Sequence, residues 1–176
     1  RGLFVSPIAY AVIAVFLVLN GYGFAVTLLA TKQATLANVF FQAAVQLVLF
    51  VPLITMRQFA EERRGGTLEL LLTAPVREAD IVLAKFAASM GMLLAMVALT
   101  LVYAGVLARF STPDWGPIYS GYLGLVLTGA TFLAVGVLIS SLTENQIVAG
   151  FGTFGVLLGF WIIGWGAESA GGTLRS

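Results

Sequence analysis

From Phe86 to Ala108 the chain reads FAASMGMLLAMVALTLVYAGVLA, without one charged side chain, and the stretch is closed on either side by Lys85 and Arg109. Leucine, alanine, valine and methionine fill it on all sides, and no alternation of apolar and polar residues suggests a strand. A bilayer core about 30 Å thick needs roughly 20 helical residues to cross it, and this stretch is long enough. Four more uncharged windows flank it: Gly2–Thr31, Gln33–Met56, Trp115–Thr143 and Asn145–Ala167. A helix satisfies its own backbone hydrogen bonds in lipid, so each window predicts one spanning helix. The expected fold is all-α, a polytopic transmembrane helical bundle with five spans. They are placed near Pro7–Leu29, Asn38–Met56, Ile81–Leu107, Tyr119–Ser140 and Gln146–Trp165. Residues 1–176 read as a single membrane domain with one polar connector, residues 57–80.

Composition agrees with lipid as the solvent. Of 176 residues 60% are hydrophobic and 10% charged, with a mean hydropathy of +1.01. Nine basic and eight acidic residues are too few to cover the surface of a soluble domain of this size. The net charge of +1, with no basic stripe, offers nothing to nucleic acid. Cysteine and histidine are both absent. Their absence removes thiol chemistry and the commonest general base, and it argues against a zinc site, so no metal ligands are assigned. The N-terminal apolar stretch runs too long for a signal peptide and lacks a small-residue cleavage site, so it reads as a retained span.

Positive charge orients the spans. The connector between spans two and three, with its flanks, carries Arg57, Arg63, Arg64, Arg77 and Lys85, against Lys32 and Arg109 on the opposite side. The bias predicts a cytoplasmic connector and N-terminus and an external Gly166–Ser176. Ser111-Thr112-Pro113-Asp114 is turn chemistry between spans three and four. Trp115, Trp161 and Trp165 fall at expected span ends, where aromatic belts form.

The connector begins Phe59-Ala60-Glu61-Glu62-Arg63-Arg64-Gly65-Gly66-Thr67-Leu68-Glu69-Leu70-Leu71-Leu72-Thr73-Ala74-Pro75. Gly65-Gly66 breaks a helix leaving the membrane, and Thr67 is a good N-cap. Glu69 then falls in a first turn, where a carboxylate suits the helix dipole, and Pro75 disfavours helix at Ala74. A helix of about two turns follows, with Leu68, Leu70, Leu71 and Leu72 as its apolar contacts. Two readings fit these residues: an amphipathic connector resting on lipid headgroups, or a docking helix for a soluble partner. Lys85 is expected to snorkel to the headgroups.

Phe59 to Val76, followed by Ile81-Val82-Leu83-Ala84-Lys85-Phe86, resembles the ABC-2 type transporter permeases, closest to their gliding-motility-associated and copper-processing branch. Ser6-Pro7-Ile8-Ala9-Tyr10 and Ser141-Leu142-Thr143-Glu144-Asn145-Gln146 match the same pattern in the same order. The resemblance implies a six-span subunit with an N-terminal interfacial helix in the bacterial inner (cytoplasmic) membrane. Its implied partners are a second permease subunit, as homo- or heterodimer, and separate ABC ATP-binding subunits. Against that pattern the chain, starting at Arg1, is expected to be a fragment lacking the interfacial helix and the sixth span. The resemblance further assigns Glu61, Arg63, Gly65, Thr67, Glu69, Leu70, Leu71 and Pro75 to an ATPase-coupling surface. Glu144 and Asn145 are expected to form a second cytoplasmic contact, to cap span five, or both.

No G-x-x-x-x-G-K-[ST] run occurs, so ATP and magnesium are expected on the partner ATPase, with no cofactor on this chain and no catalytic residues. The expected function is the permease subunit of an ATP-driven exporter; the alternative is a non-transporting membrane anchor of an ATPase-driven machine. Intramembrane serine or zinc proteases would need histidine, and a secondary transporter an intramembrane ionisable group. Within the spans, Asn20, Gln42 and Gln46 are the polar residues of interest, lining a pathway or bonding across helices. Gly155 and Gly159 form a small-xxx-small pair in span five, expected to serve close helix packing.

Overall fold

The structure, a computed structural model, describes residues 7–31, 35–56, 58 and 78–173. Among these residues there are five helices and no strand: α1 (Pro7–Thr31), α2 (Ala37–Thr55), α3 (Glu78–Phe110), α4 (Trp115–Leu142) and α5 (Gln146–Thr173). All five are long and apolar enough to cross a membrane. The all-helical polytopic bundle expected from the uncharged windows is therefore the observed fold.

The helices overrun the expected spans. α3 starts at Glu78 rather than Ile81 and ends at Phe110. Its 33 residues make a rod about 50 Å long, well beyond a hydrocarbon core of about 30 Å. α4 starts at Trp115, ahead of Tyr119, and takes Pro117 into its first turn, where a missing N–H costs nothing. α5 continues to Thr173, past Trp165. The cause is common to all three. Hydropathy marks the length a bilayer tolerates, whereas backbone hydrogen bonding carries the helix on into water.

Burial ranks the helices. In the most apolar window of α2, 44% of residues are buried, and in α3 and α4 39%, against 17% in α1 and in α5. α2 packs on α1, α4 and α5, and α4 on α2, α3 and α5, so these two form the centre of the bundle. Every helix sends a fully enclosed side chain into one core: Phe16, Leu47 and Val51, Leu93 and Met96, Leu133, and Leu157. Phe16 meets Phe50 edge to face, with ring centroids 5.7 Å apart.

Lipid tails are as apolar as these side chains, so burial alone does not hold the helices together; close packing and interhelical hydrogen bonds do. Two close approaches are made by α4. A Cβ at Gly129 would overlap the Leu93 side chain of α3, and one at Gly136 would overlap Thr55 of α2. Thr55 can be enclosed there because its hydroxyl donates to Val51 O, 3.0 Å away, within its own helix. Gly155 and Gly159 behave differently from expectation, because a Cβ at either would meet nothing within 4 Å. Neither position is closed off by the described part of this chain, whereas Gly129 and Gly136 of α4 are.

Replacing Gly136 by alanine is expected to destabilise the bundle by about 1–3 kcal/mol through overpacking against Thr55. Gly159→Ala, into open space, is expected to be neutral or to gain up to about 1 kcal/mol of helix propensity. Unfolding in mixed micelles at rising dodecyl sulfate reads both; equal midpoints for the two variants would contradict the packing described.

Candidate functional site

The residues assigned to a coupling surface, Glu61, Arg63, Gly65, Thr67, Glu69, Leu70, Leu71 and Pro75, lie outside the described residues. What the structure shows is the frame on which they hang. The connector leaves α2 at Thr55 and rejoins the bundle at Glu78, so both of its ends emerge at one end of the bundle. The turn between α4 and α5 lies at that same end. The Met56 sulfur stands 3.3 Å from where a Cβ on Gly150 would lie, which sets the exit of α2 against the second turn of α5.

In that turn Glu144 and Asn145 are both exposed. Asn145 precedes the first residue of α5, and its Oδ1 accepts a hydrogen bond from the backbone N–H of Ile147 at 2.9 Å. Its own backbone N–H is directed to the Thr143 hydroxyl at 3.2 Å. This is an N-cap, in which a short polar side chain takes up one of the orphan donors of a helix start. Asn145 thus has a structural task, while the Glu144 carboxylate projects into solvent.

The intramembrane polar residues form a seam between α1 and α2. Asn20 is fully buried, and its Nδ2 donates both to Phe16 O, at 2.9 Å, and to Gln46 Oε1, at 2.6 Å. One turn earlier on α2, Gln42 Nε2 donates to Leu19 O at 2.8 Å. The Gln42 carboxamide fits because residue 23 is glycine; a Cβ there would occupy the same space. Asn20 Oδ1 is enclosed without a hydrogen-bond partner. Gln42 and Gln46 are themselves half-buried, so the seam keeps an open side.

Sequence reasoning missed four further polar links. Tyr103 of α3 donates to Leu17 O of α1 at 2.8 Å, and its ring stacks on Phe24. Tyr122 of α4 donates to Thr100 O of α3 at 2.9 Å. Lys85, expected to reach headgroups, instead directs its ammonium to the backbone carbonyl of Gln58, just beyond α2. Gln58 Nε2 in turn donates to the hydroxyl of Ser89, one turn after Lys85 on α3. The Lys85-to-Ser89 spacing of four was legible as one helix face. That Gln58 would meet this face was not, because it depends on how the packing of the bundle places the exit of α2 against α3. Trp161, placed at a span end for a headgroup belt, packs its ring 5.5 Å from that of Phe41.

A cavity of 380 Å³ opens at the far end of the bundle, between residues 35–37 and the start of α4. Its one charged group is the exposed Asp114. Among the described residues no Asp, Glu, Lys or Arg is fully buried; the buried polar groups are amides and hydroxyls. Such groups act by hydrogen bonding, the hydroxyls as both donors and acceptors.

The Asn20–Gln46 bond is open to a double-mutant cycle. Asn20→Ala, Gln46→Ala and the double variant are expected to show a coupling of about 0.5–1.5 kcal/mol in mixed-micelle unfolding. Strict additivity of the two single variants would mean that the bond adds nothing to the α1–α2 pair.

Comparison with known proteins bears on the whole arrangement. Residues 7–175 match the family model described as ABC-2 family transporter protein. Over 104 residues the chain is 32% identical to the Probable multidrug ABC transporter permease YbhR of Escherichia coli (strain K12), and equally to that of Escherichia coli O157:H7. The aligned stretch covers 59% of this chain and 28% of the length of either relative. No solved structure matches the chain. With the family model covering nearly every residue, and with five membrane-length helices under it, this multi-pass membrane protein belongs to the ABC-2 family of transporter proteins.

Proposed function

We propose that the chain is the permease subunit of an ATP-driven exporter, with ATP and magnesium held by a separate ABC ATP-binding subunit. The observation that carries this reading is a packed bundle of the ABC-2 family whose enclosed polar groups are all amides and hydroxyls among the described residues. Such a bundle offers a path but no energy source, so the driving force must arrive from outside it. In the proposed mechanism the partner closes on its nucleotide and pushes residues 57–80, and the bundle alternates its access between the two sides. Glu61, Arg63, Gly65, Thr67, Glu69, Leu70, Leu71 and Pro75 would form the docking surface. Glu144 would add a second contact, since the α4–α5 turn lies at the same end of the bundle as the exit of α2.

The charge bias supports a cytoplasmic position for that end, in the bacterial inner membrane. A second permease subunit, identical or not, would complete the pathway, with α1 and α5 the least enclosed helices available to it. The half-buried Gln42 and Gln46 would supply hydrogen bonds along that pathway. The similar permeases named for multidrug transport make small apolar organic compounds the first substrate class to assay. The gliding-motility-associated and copper-processing branch rests on the likeness of residues 59–76 and 81–86, with residues 6–10 and 141–146 beside them.

The test is a detergent pull-down of the full-length protein with and without Leu70→Asp plus Leu71→Asp. An ABC ATPase is expected to co-purify with the parent and to be lost from the variant. Absence of any ATPase from the parent would return the connector to a headgroup-resting element. Reversing the charges at Glu61 and Arg63 is expected to abolish stimulation of the ATPase by the permease while membrane insertion persists; unchanged stimulation would remove both residues from the docking surface.

A further inference from the structure

Gln58, Lys85 and Ser89 form a closed circuit at the end of the bundle from which the connector emerges. The Lys85 ammonium donates to the Gln58 backbone carbonyl, Gln58 Nε2 donates to Ser89 Oγ, and Ser89 Oγ donates to Lys85 O at 2.8 Å. Ser89 is fully enclosed and Gln58 nearly so, at 6% exposure. The hydroxyl of Ser89 has one proton, which goes to Lys85 O, so it must receive an N–H from Gln58; this sets the orientation of the Gln58 amide. Gln58 is anchored to its own helix as well, its backbone N–H donating to Thr55 O at 3.1 Å. The circuit therefore runs from the last turn of α2 into the third and fourth turns of α3 without a gap.

Residues 59–77 join these two points along the chain, and the circuit joins them through space. We propose that Gln58, Lys85 and Ser89 are positioning residues that clasp the exit of α2 to the start of α3, so that a push on the connector moves both helices as one body. This rests on the reading of residues 57–80 as the segment driven by the ATPase. Without the clasp the same push would tilt α3 on α2 and dissipate before reaching the buried core. An ammonium on a backbone carbonyl suits such a tie. It is a charge-assisted bond between half-buried Lys85 and a main-chain group, and it does not depend on the identity of the side chain at position 58.

The sequence carries no cysteine, so two introduced cysteines are selective labelling sites. Leu53 and Leu83 are exposed, at 40% and 62%, on α2 and α3 near the clasp, and accept spin labels as Leu53→Cys and Leu83→Cys without disturbing the core. The full-length protein is labelled in its complex with the ATP-binding subunit, and the distance is read nucleotide-free and vanadate-trapped. A narrow distribution that does not move on trapping is expected with the native clasp. Lys85→Met keeps the apolar stem and removes the ammonium, and a shifted or broadened distribution is expected on trapping, with Lys85→Arg restoring the narrow one. Coupled ATPase stimulation is expected to fall about fivefold or more in Lys85→Met. A native distance that changes on trapping overturns the one-body proposal, and so does an unmoved distance in Lys85→Met. Should no ATPase associate with the parent, the reading of the connector fails. The clasp is then judged on the free permease, where Lys85→Met must still broaden the distribution; an unbroadened one overturns it. If Lys85→Met does not fold, Gln58→Met, which removes only the side-chain strand of the circuit, takes its place under the same criteria.

Discussion

A backbone amide or carbonyl left unpaired in hydrocarbon costs several kcal/mol, and everything else in this protein follows from that constraint. Each uncharged window has to become a helix, because a helix is the one local structure that pairs its own backbone. Once five such rods stand side by side, the usual reason for them to adhere is missing, since lipid wets them as well as they wet each other. Contact must then come from close approach and from polar groups that prefer a partner helix to lipid. The bundle uses both. Gly129 and Gly136 let α4 lie against Leu93 and Thr55, while Asn20, Tyr103 and Tyr122 reach across to neighbouring helices.

Serine and threonine hydroxyls show how polar side chains are accommodated at little cost. Thr55, Ser89 and Thr153 are fully enclosed, and each returns its proton to the carbonyl four residues earlier. Nothing further is demanded of the neighbours, so these residues can sit at tight contacts. Ser89 goes further and accepts from Gln58, which turns a private bond into an interhelical one. Amides are more demanding. Asn20 satisfies its donors through Phe16 and Gln46, but its Oδ1 is enclosed alone. An unsatisfied acceptor at that depth carries a real penalty, which the α1–α2 seam must offset through its other bonds.

The division of labour among the helices also has a mechanical side. α2 and α4 are the most connected and form the centre, while α1 and α5 have most of their surface free. The connector is attached to α2, the most enclosed helix, at the end where Gln58 is bonded to α3 and Met56 stands against α5. A force applied there meets the best-packed part of the bundle first. A force applied at the opposite end would meet the turn leading into α4 and the cavity beside Asp114.

Five spans, their order and their all-helical character were legible in the sequence, because the exclusion of charge from lipid is written residue by residue into the uncharged windows. The likeness of Phe59–Pro75 to the ABC-2 permeases was legible too, since a run of neighbouring residues needs no fold to be seen. The ends of α3, α4 and α5 were not, because hydropathy stops at the headgroups and hydrogen bonding does not. Tertiary structure alone decided which glycines pack: Gly155 and Gly159 have the same small-residue spacing as many interfaces, yet Gly129 and Gly136 face a neighbour and they do not. It also decided that Lys85 turns inward to Gln58. A side chain's nature and spacing belong to the sequence, but the partner it finds depends on the rotation of each helix about its axis, and only the packing of all five sets that.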